Sequence, residues 1–290
     1  ICYQNGLGTA RDTDKAQALF NQHRDLEIVC YLGSIGKCPP RPLTFEQIVD
    51  LTKSLAKKRD PHAQYLWGLR LVNGHGVKPS IKTATKWFKK AAKKDHGGAL
   101  NMLGSIYEYH HGRIPQGYSV YQYPEALKAW EKATEYYRQG SDAGSALATT
   151  NYGRMLSLGK GIKKNIPLAE RYYLKSIELD PKNGYTLNNL GAINQEYLTT
   201  ALRENDQEKA DHYRALMLKY YEKAESLDVA IAAKNLGLAY LQGFLVPQDM
   251  LRGYDYVERA ADLGMTNEHY RLGLMHEEGI GMPVTYTEAA

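Results

Sequence analysis

Only three cysteines, Cys2, Cys30 and Cys38, occur in the 290 residues. An odd number at irregular spacing is neither a disulfide framework nor a zinc signature, so these thiols read as buried or incidental. No apolar run approaches the ~18 residues of a membrane span, so no transmembrane segment is expected in this stretch. The opening "ICYQNGLGTARD" has no initiator Met and no basic stretch followed by an apolar one, so the sequence reads as a piece of something longer and any export signal is expected outside it. A strong excess of one charge is also missing: 37 Lys and Arg against 32 Asp and Glu give +5, which does not by itself argue for nucleic acid. Hydrophobic residues make up 43% and charged residues 24%, a composition able to form a core.

What is present is repetition, which has to be tested before any motif is read as a site. From Gly68, a glycine follows six residues later (Gly74) and an alanine ten after that (Ala84). The same steps give Gly153, Gly159 and Ala169, then Gly273, Gly279 and Ala289, and, with glycine for the last alanine, Gly237, Gly243 and Gly253. Gly6 and Ala16 keep the second step. Gly-x-Gly occurs at Gly6/Gly8, Gly74/Gly76, Gly159/Gly161 and Gly279/Gly281. Taken alone, "NGHGVKPS" could cradle a phosphate on backbone N–H groups. A phosphate loop has no reason to recur in register, so the glycines read as helix punctuation.

Each unit divides into two amphipathic helices. The first, as in "AQYLWGLRLV", "ALNMLGSIYEY", "ATTNYGRML" and "AAKNLGLAYL", carries a central glycine. That glycine costs about 1 kcal/mol relative to Ala, which makes sense if a second helix must approach the backbone there. Gly-x-Gly then ends the helix with φ > 0. The second helix, as in "TATKWFKKAAKK" and "PLAERYYLKSIELD", places a small residue, an aromatic pair or its equivalent, and Ala or Ser at Ala84, Trp87, Phe88 and Ala91 and their counterparts. Steps of fifteen residues lead onward, from Ile48 to Ala63, Ala84 to Ala99 and Met217 to Ala232. The units are expected at about 1–24 (partial), 25–60 (degenerate, with prolines in "GKCPPRP"), 61–96, 97–143, 144–182, 183–229, 230–265 and 266–290 (partial). Two carry insertions between their helices, of six residues in "YHHGRIPQGYSVYQYP" and ten in "EYLTTALRENDQEKADHYRAL". The unit ending near Gly144 has a longer exit, "YYRQGSDAGSA".

The pattern A-x-x-x-L-G-x-x-Y-x-x-G-x-G-V, then A-x-x-W-Y-x-x-A-A, resembles Sel1-like repeats. "ALNMLGSIY" and "NGHGVKPSIKTATKWFKKAAKKDHGGAL" carry it best, followed by "NLGLAYLQG" and "RLGLMHEEGIG"; "AERYYLKSIELDPKNGYTLNNLG" is closer to the tetratricopeptide form. The resemblance covers nearly the whole chain. It implies an all-α solenoid: helix-turn-helix repeats stacked into a right-handed superhelix with a concave inner face, one continuous array over residues 1–290. Such arrays end in polar caps. Neither "ICYQNG" nor "TYTEAA" reads as one, so further repeats or domains are expected beyond both ends.

Little chemistry is legible. "EYHHGR", with Glu108, His110 and His111, is the densest metal-like cluster, but no second ligand pair stands at a readable spacing. His276-Glu277-Glu278 lacks the second histidine of a zinc-protease helix. No cofactor is expected. Some Sel1-like proteins resemble penicillin-binding or β-lactam-hydrolysing proteins and pair cysteines across each unit; this chain lacks that pairing. The resemblance implies a non-catalytic adaptor or scaffold that binds a protein, in a bacterial envelope, secretion or host-interaction assembly or a membrane-linked degradation complex, with a hydrolase of β-lactam or cell-wall type as the competing reading. Groove-facing positions three before, one after and four after the central glycine select Asn101, Ser105, Glu108, Thr150, Arg154, Asn188, Gln195, Lys234, Tyr270 and Glu277, suited to an extended peptide or loop. Tyr118, Tyr121 and Tyr123 in the insertion form a second candidate contact surface. The basic run Lys82, Lys86, Lys89, Lys90, Lys93 and Lys94 reads as a solvated outer face, with an acidic partner, an anionic membrane or RNA as other readings.

Overall fold

The computed structural model describes residues 44–114 and 123–279. They are helical, with no strand among the described residues, and they fall into two compact units that meet in sequence between Leu179 and Asp180. The cysteines, "GKCPPRP", Tyr118, Tyr121 and "TYTEAA" lie outside the described residues.

The first unit contains α1 (Phe45–Lys57), α2 (Pro61–Asn73), α3 (Ile81–Ala92), α4 (Gly97–Ile106) continued by a π-helical turn (Tyr107–His111), α5 (Pro124–Asp142), α6 (Ala146–Leu158) and α7 (Ile166–Leu179). Helix starts follow from sequence. Thr44 and Gln47 form a capping box on α1. Asp60 caps α2 with Pro61 just inside it, and Ser80, His96 and Ser145 cap α3, α4 and α6. Each such cap contributes about 1 kcal/mol. Helix ends use the repeated glycines. Gly74 and Gly76 both sit at φ 71°, and Gly159 and Gly161 at 67° and 68°. The backbone of "NGHG" thus closes a helix, and its counterpart does the same two units later.

The central glycines mark where paired helices touch. A Cβ on Gly68 would stand 2.5 Å from the Phe88 ring, on Gly104 2.5 Å from Tyr137, and on Gly153 2.8 Å from Tyr173. α2 therefore pairs with α3, α4 with α5, and α6 with α7. The rings of Phe88, Tyr137 and Tyr173 are buried, and each such burial is worth about 2 kcal/mol. Ala84, Ala133 and Ala169 are also buried, four residues before each ring.

This register corrects the reading of the first insertion. Ala133, rather than Ala126, is the counterpart of Ala84. Ala133 and Ala148 are fifteen residues apart, like Ala84 and Ala99. Gly144 takes the left-handed exit (φ 78°) that Asp95 takes after α3 (φ 53°). There is no longer exit near Gly144. One lengthening of thirteen residues precedes Ala133, and part of it forms the first two turns of the 19-residue α5. Those turns present Trp130, against which Gly112 packs so closely that a Cβ there would lie 2.3 Å from the indole nitrogen. Gly161 packs on the Trp130 carbonyl in the same way.

The second unit contains α8 (Gly184–Arg203), α9 (Gln207–Glu225), α10 (Ala230–Gln242), α11 (Met250–Asp262) and α12 (Thr266–Glu278). The ten-residue insertion is absorbed as helix: α8 and α9 run to 20 and 19 residues, turning at Asn205 (φ 57°) into the Asp206 cap. Gly191 lies against the Tyr221 ring and Gly237 against Val257.

Candidate partner-binding face

The first helices α4 and α6 are joined by polar side chains at fixed positions. Asn151 donates its amide to Asn101 Oδ1 at 2.8 Å. In the second unit Asn235 donates to Asn188 at 3.1 Å, on the same positions of α10 and α8. Asn101 and Asn188 are both buried. Thr150 is buried too, bonded to the Ala146 carbonyl and to Ser176 Oγ at 2.8 Å.

Two turns on, the π-helical turn carries Glu108 inward until it is 1% exposed. Arg154 grips the carboxylate with two nitrogens, at 2.9 and 2.6 Å. Lys160 donates to it at 3.0 Å and the Tyr137 hydroxyl at 3.0 Å. Ser105 lies 3.2 Å from the same hydroxyl. Burial opposes the charged form of Glu108, but the hydrogen bonds and charges of Arg154 and Lys160 outweigh it and hold its carboxyl below the usual carboxylate range. Burial pushes the Tyr137 hydroxyl up, and the Glu108 charge adds to this. Lys160 also sits over the Trp130 ring, 4.5 Å from its centroid. This cage locks α4, α5 and α6 together. Its carboxylate is engaged by three side chains, whereas His110 and His111 beside it are exposed. No group of three metal-ligating side chains occurs among the described residues.

The residues named from sequence therefore separate. Asn101, Glu108, Thr150 and Asn188 are buried in seams between helices rather than presented to a partner. Gln195 accepts from the Tyr221 hydroxyl at 3.0 Å. Ser105, Arg154 and Lys234 are half-buried; Tyr270 and Glu277 are exposed on α12. Tyr123 is half-buried at the start of α5. On α4, α6 and α8, positions three before and four after the central glycine thus point into the seam. The open stripe lies one residue round, at six before, two before, one after and five after.

On α6 that stripe is Leu147, Asn151, Arg154 and Leu158, with both leucines about 60% exposed. On α4 it runs through Met102 and Ser105 to the exposed Tyr109. In the second unit it begins at the exposed Tyr185 of α8 and Ile231 of α10. Sequence reasoning missed these apolar residues, although Leu147, Tyr185 and Ile231 share one place in the repeat.

Stacked helical hairpins, each with a glycine under a ring, define an α-helical repeat protein of the solenoid class. The chain belongs to the Sel1 repeat family, whose model matches residues 1–22, 61–96, 98–128, 131–145, 146–181, 230–265 and 269–290. The Sel1 repeat protein from Oxalobacter formigenes shares this fold: its structure superposes with a TM-score of 0.64 at 21% identity, over 88% of this chain and 89% of that one. A Sel1 repeat protein from Klebsiella pneumoniae gives 0.48 at 16% identity, over 79% of this chain and 99% of that one. A sel1-like repeat-containing protein of Acanthamoeba polyphaga mimivirus is 38% identical over 90 residues, 31% of this chain. The match spans 15% of that relative's length. No helix among the described residues is long and apolar enough to cross a membrane. Sel1 repeats are, as a family, protein-interaction scaffolds.

Proposed function

We propose that the chain is a non-catalytic scaffold that takes an extended segment of a partner protein along the open stripe of its first helices. The observation that carries this is the recurrence of an exposed apolar residue six positions before the central glycine, at Leu147, Tyr185 and Ile231. In the first unit Leu158 and Tyr109 close the other end, with Asn151, Arg154 and Ser105 between. Apolar ends with a polar middle suit a segment whose side chains anchor in turn while its backbone finds hydrogen-bond partners. Residues 1–290 are read as one array because the fifteen-residue step of the sequence also runs from Ala169 to Gly184.

Selection from a displayed peptide library tests the reading. Peptides enriched on the wild-type chain should lose binding to L147E/L158E and keep it for a pair of substitutions on the outer face of α11, such as D255A/E258A. Helicity and melting temperature should be unchanged in both. Equal binding to wild type and L147E/L158E would remove the stripe from consideration.

A further inference from the structure

A second surface has a different chemistry. The end of α1 with the turn after it, the start of α2, and the second half of α3 with the turn after it line a cavity of about 600 Å³, within the size range of ligand-binding clefts. Lys57 and Arg59 form one wall and Lys90, Lys93 and Lys94 the other. No carboxylate lines it. All five cationic residues are exposed. Lys94 Nζ donates to the Arg59 carbonyl at 2.7 Å, tying the two walls together. Arg59 reaches its wall from a left-handed backbone conformation at φ 66°. Trp87 lines the cavity and carries Lys90 over its ring at 4.0 Å.

Gln64 also lines it and is 3% exposed. Its amide nitrogen donates to the Ala56 carbonyl at 3.2 Å, which fixes the orientation of the side chain. Its Oε1 is buried with no hydrogen-bond partner. Leaving such an acceptor unpaired is unfavourable. The nearby carboxylate of Asp60 is occupied as the α2 cap, accepting from Ala63 N–H at 2.7 Å.

We propose that this cavity docks an acidic segment of a partner protein. Five cations call for several negative charges. Gln64 Oε1 calls for a donor, which a peptide N–H supplies. The lysine run of α3 is thereby divided: Lys90, Lys93 and Lys94 serve the cavity, whereas Lys82 and Lys89 of the same helix do not line it. The proposal is independent of the first-helix stripe.

The test uses a labelled, end-capped Glu-rich peptide, its Gln-for-Glu analogue, inorganic tripolyphosphate, a poly-uridine oligomer and phosphatidylserine vesicles. Binding to the 290-residue chain is read by anisotropy and Trp fluorescence at low and moderate salt. The Glu-rich peptide should bind and the Gln analogue should not. K90E/K93E should weaken binding roughly tenfold or more, K82E/K89E should leave it within about twofold, and L147E/L158E should not change it. Melting curves confirm that each variant is folded. Equal weakening by the two lysine pairs would mean diffuse charge rather than a site and overturn the proposal. So would absence of peptide binding at low salt, or tighter binding of tripolyphosphate, RNA or vesicles than of the peptide.

Discussion

The hydroxyl of Tyr137 stands 3.0 Å from Oε2 of Glu108, four residues past the glycine on which the Tyr137 ring lies. The relation recurs. Tyr173 covers Gly153 and its hydroxyl lies 3.4 Å from Ser157; Tyr221 covers Gly191 and donates to Gln195 at 3.0 Å. Where the covering residue has no hydroxyl, the residue four past the glycine is apolar: Val72 in the Phe88 hairpin, Leu241 in the Val257 hairpin. A buried hydroxyl needs a partner, so ring type and this position change together.

The three tyrosines should therefore differ on losing their hydroxyls. Y137F removes a donor from a buried carboxylate and should destabilise by about 1.5–3 kcal/mol, the range for hydrogen bonds to charged groups. Y173F loses only a long contact to Ser157 and should stay within about 0.5 kcal/mol of wild type. Chemical denaturation of the two variants checks the order; equal effects would mean that Glu108 draws nothing from the hydroxyl.

Removing Arg154 tests the cage more severely. R154M leaves Glu108 buried with Lys160 as its one remaining cation, and should cost about 3 kcal/mol. The double variant E108L/R154M replaces the pair by apolar groups and should recover most of that loss. If the double variant is as unstable as R154M, the loss comes from packing of the arginine stem rather than from a stranded charge.

G191A gains helix propensity of about 1 kcal/mol, yet its new methyl would lie 2.5 Å from the Tyr221 ring. Overpacking costs about 1–3 kcal/mol, so the variant should melt lower despite alanine being the better helix former. A higher melting temperature would show that the two helices can part without loss.

The repeat made the hairpins legible because a glycine under a ring and a glycine at a helix end leave marks at fixed spacing. The thirteen-residue lengthening before Ala133 was misdivided for the same reason: Ala126 and Trp130 mimic the small-and-aromatic step, and only the Tyr137 ring on Gly104 decides between them. Two of the three positions read as groove-facing fall one residue away from the open stripe, whereas the position after the glycine, Ser105 and Arg154, lies on it. Periodicity identifies a polar face, but Asn101 and Asn151 are both polar, and which one is covered depends on where the next helix sits. Glu108 illustrates this further. Its polarity suggested a partner outside the protein, whereas the π-helical turn that rotates it inward onto Arg154 leaves no sequence signature.

His96 gives a pH dependence whose sign follows from its role. Its Nδ1 accepts the Ala99 N–H to cap α4 at 3.2 Å, and its Nε2 lies 3.2 Å from Nδ1 of His62. Tyr65 stacks on its ring at 4.7 Å. Burial, together with the neighbouring His62, pushes its pKa down to about 4 from 6.5. The unfolded chain therefore binds the proton more tightly, and folding stability falls as pH drops through that interval. Above about 6.5 the contribution is complete, and below about 4 it adds no further slope. H96N keeps a good cap and cannot titrate. The gap in melting temperature between wild type and H96N should therefore shift against wild type as pH falls from 6.5 to 4. Parallel melting profiles for the two proteins across that interval would show that the imidazole takes up its proton equally in the folded and unfolded states.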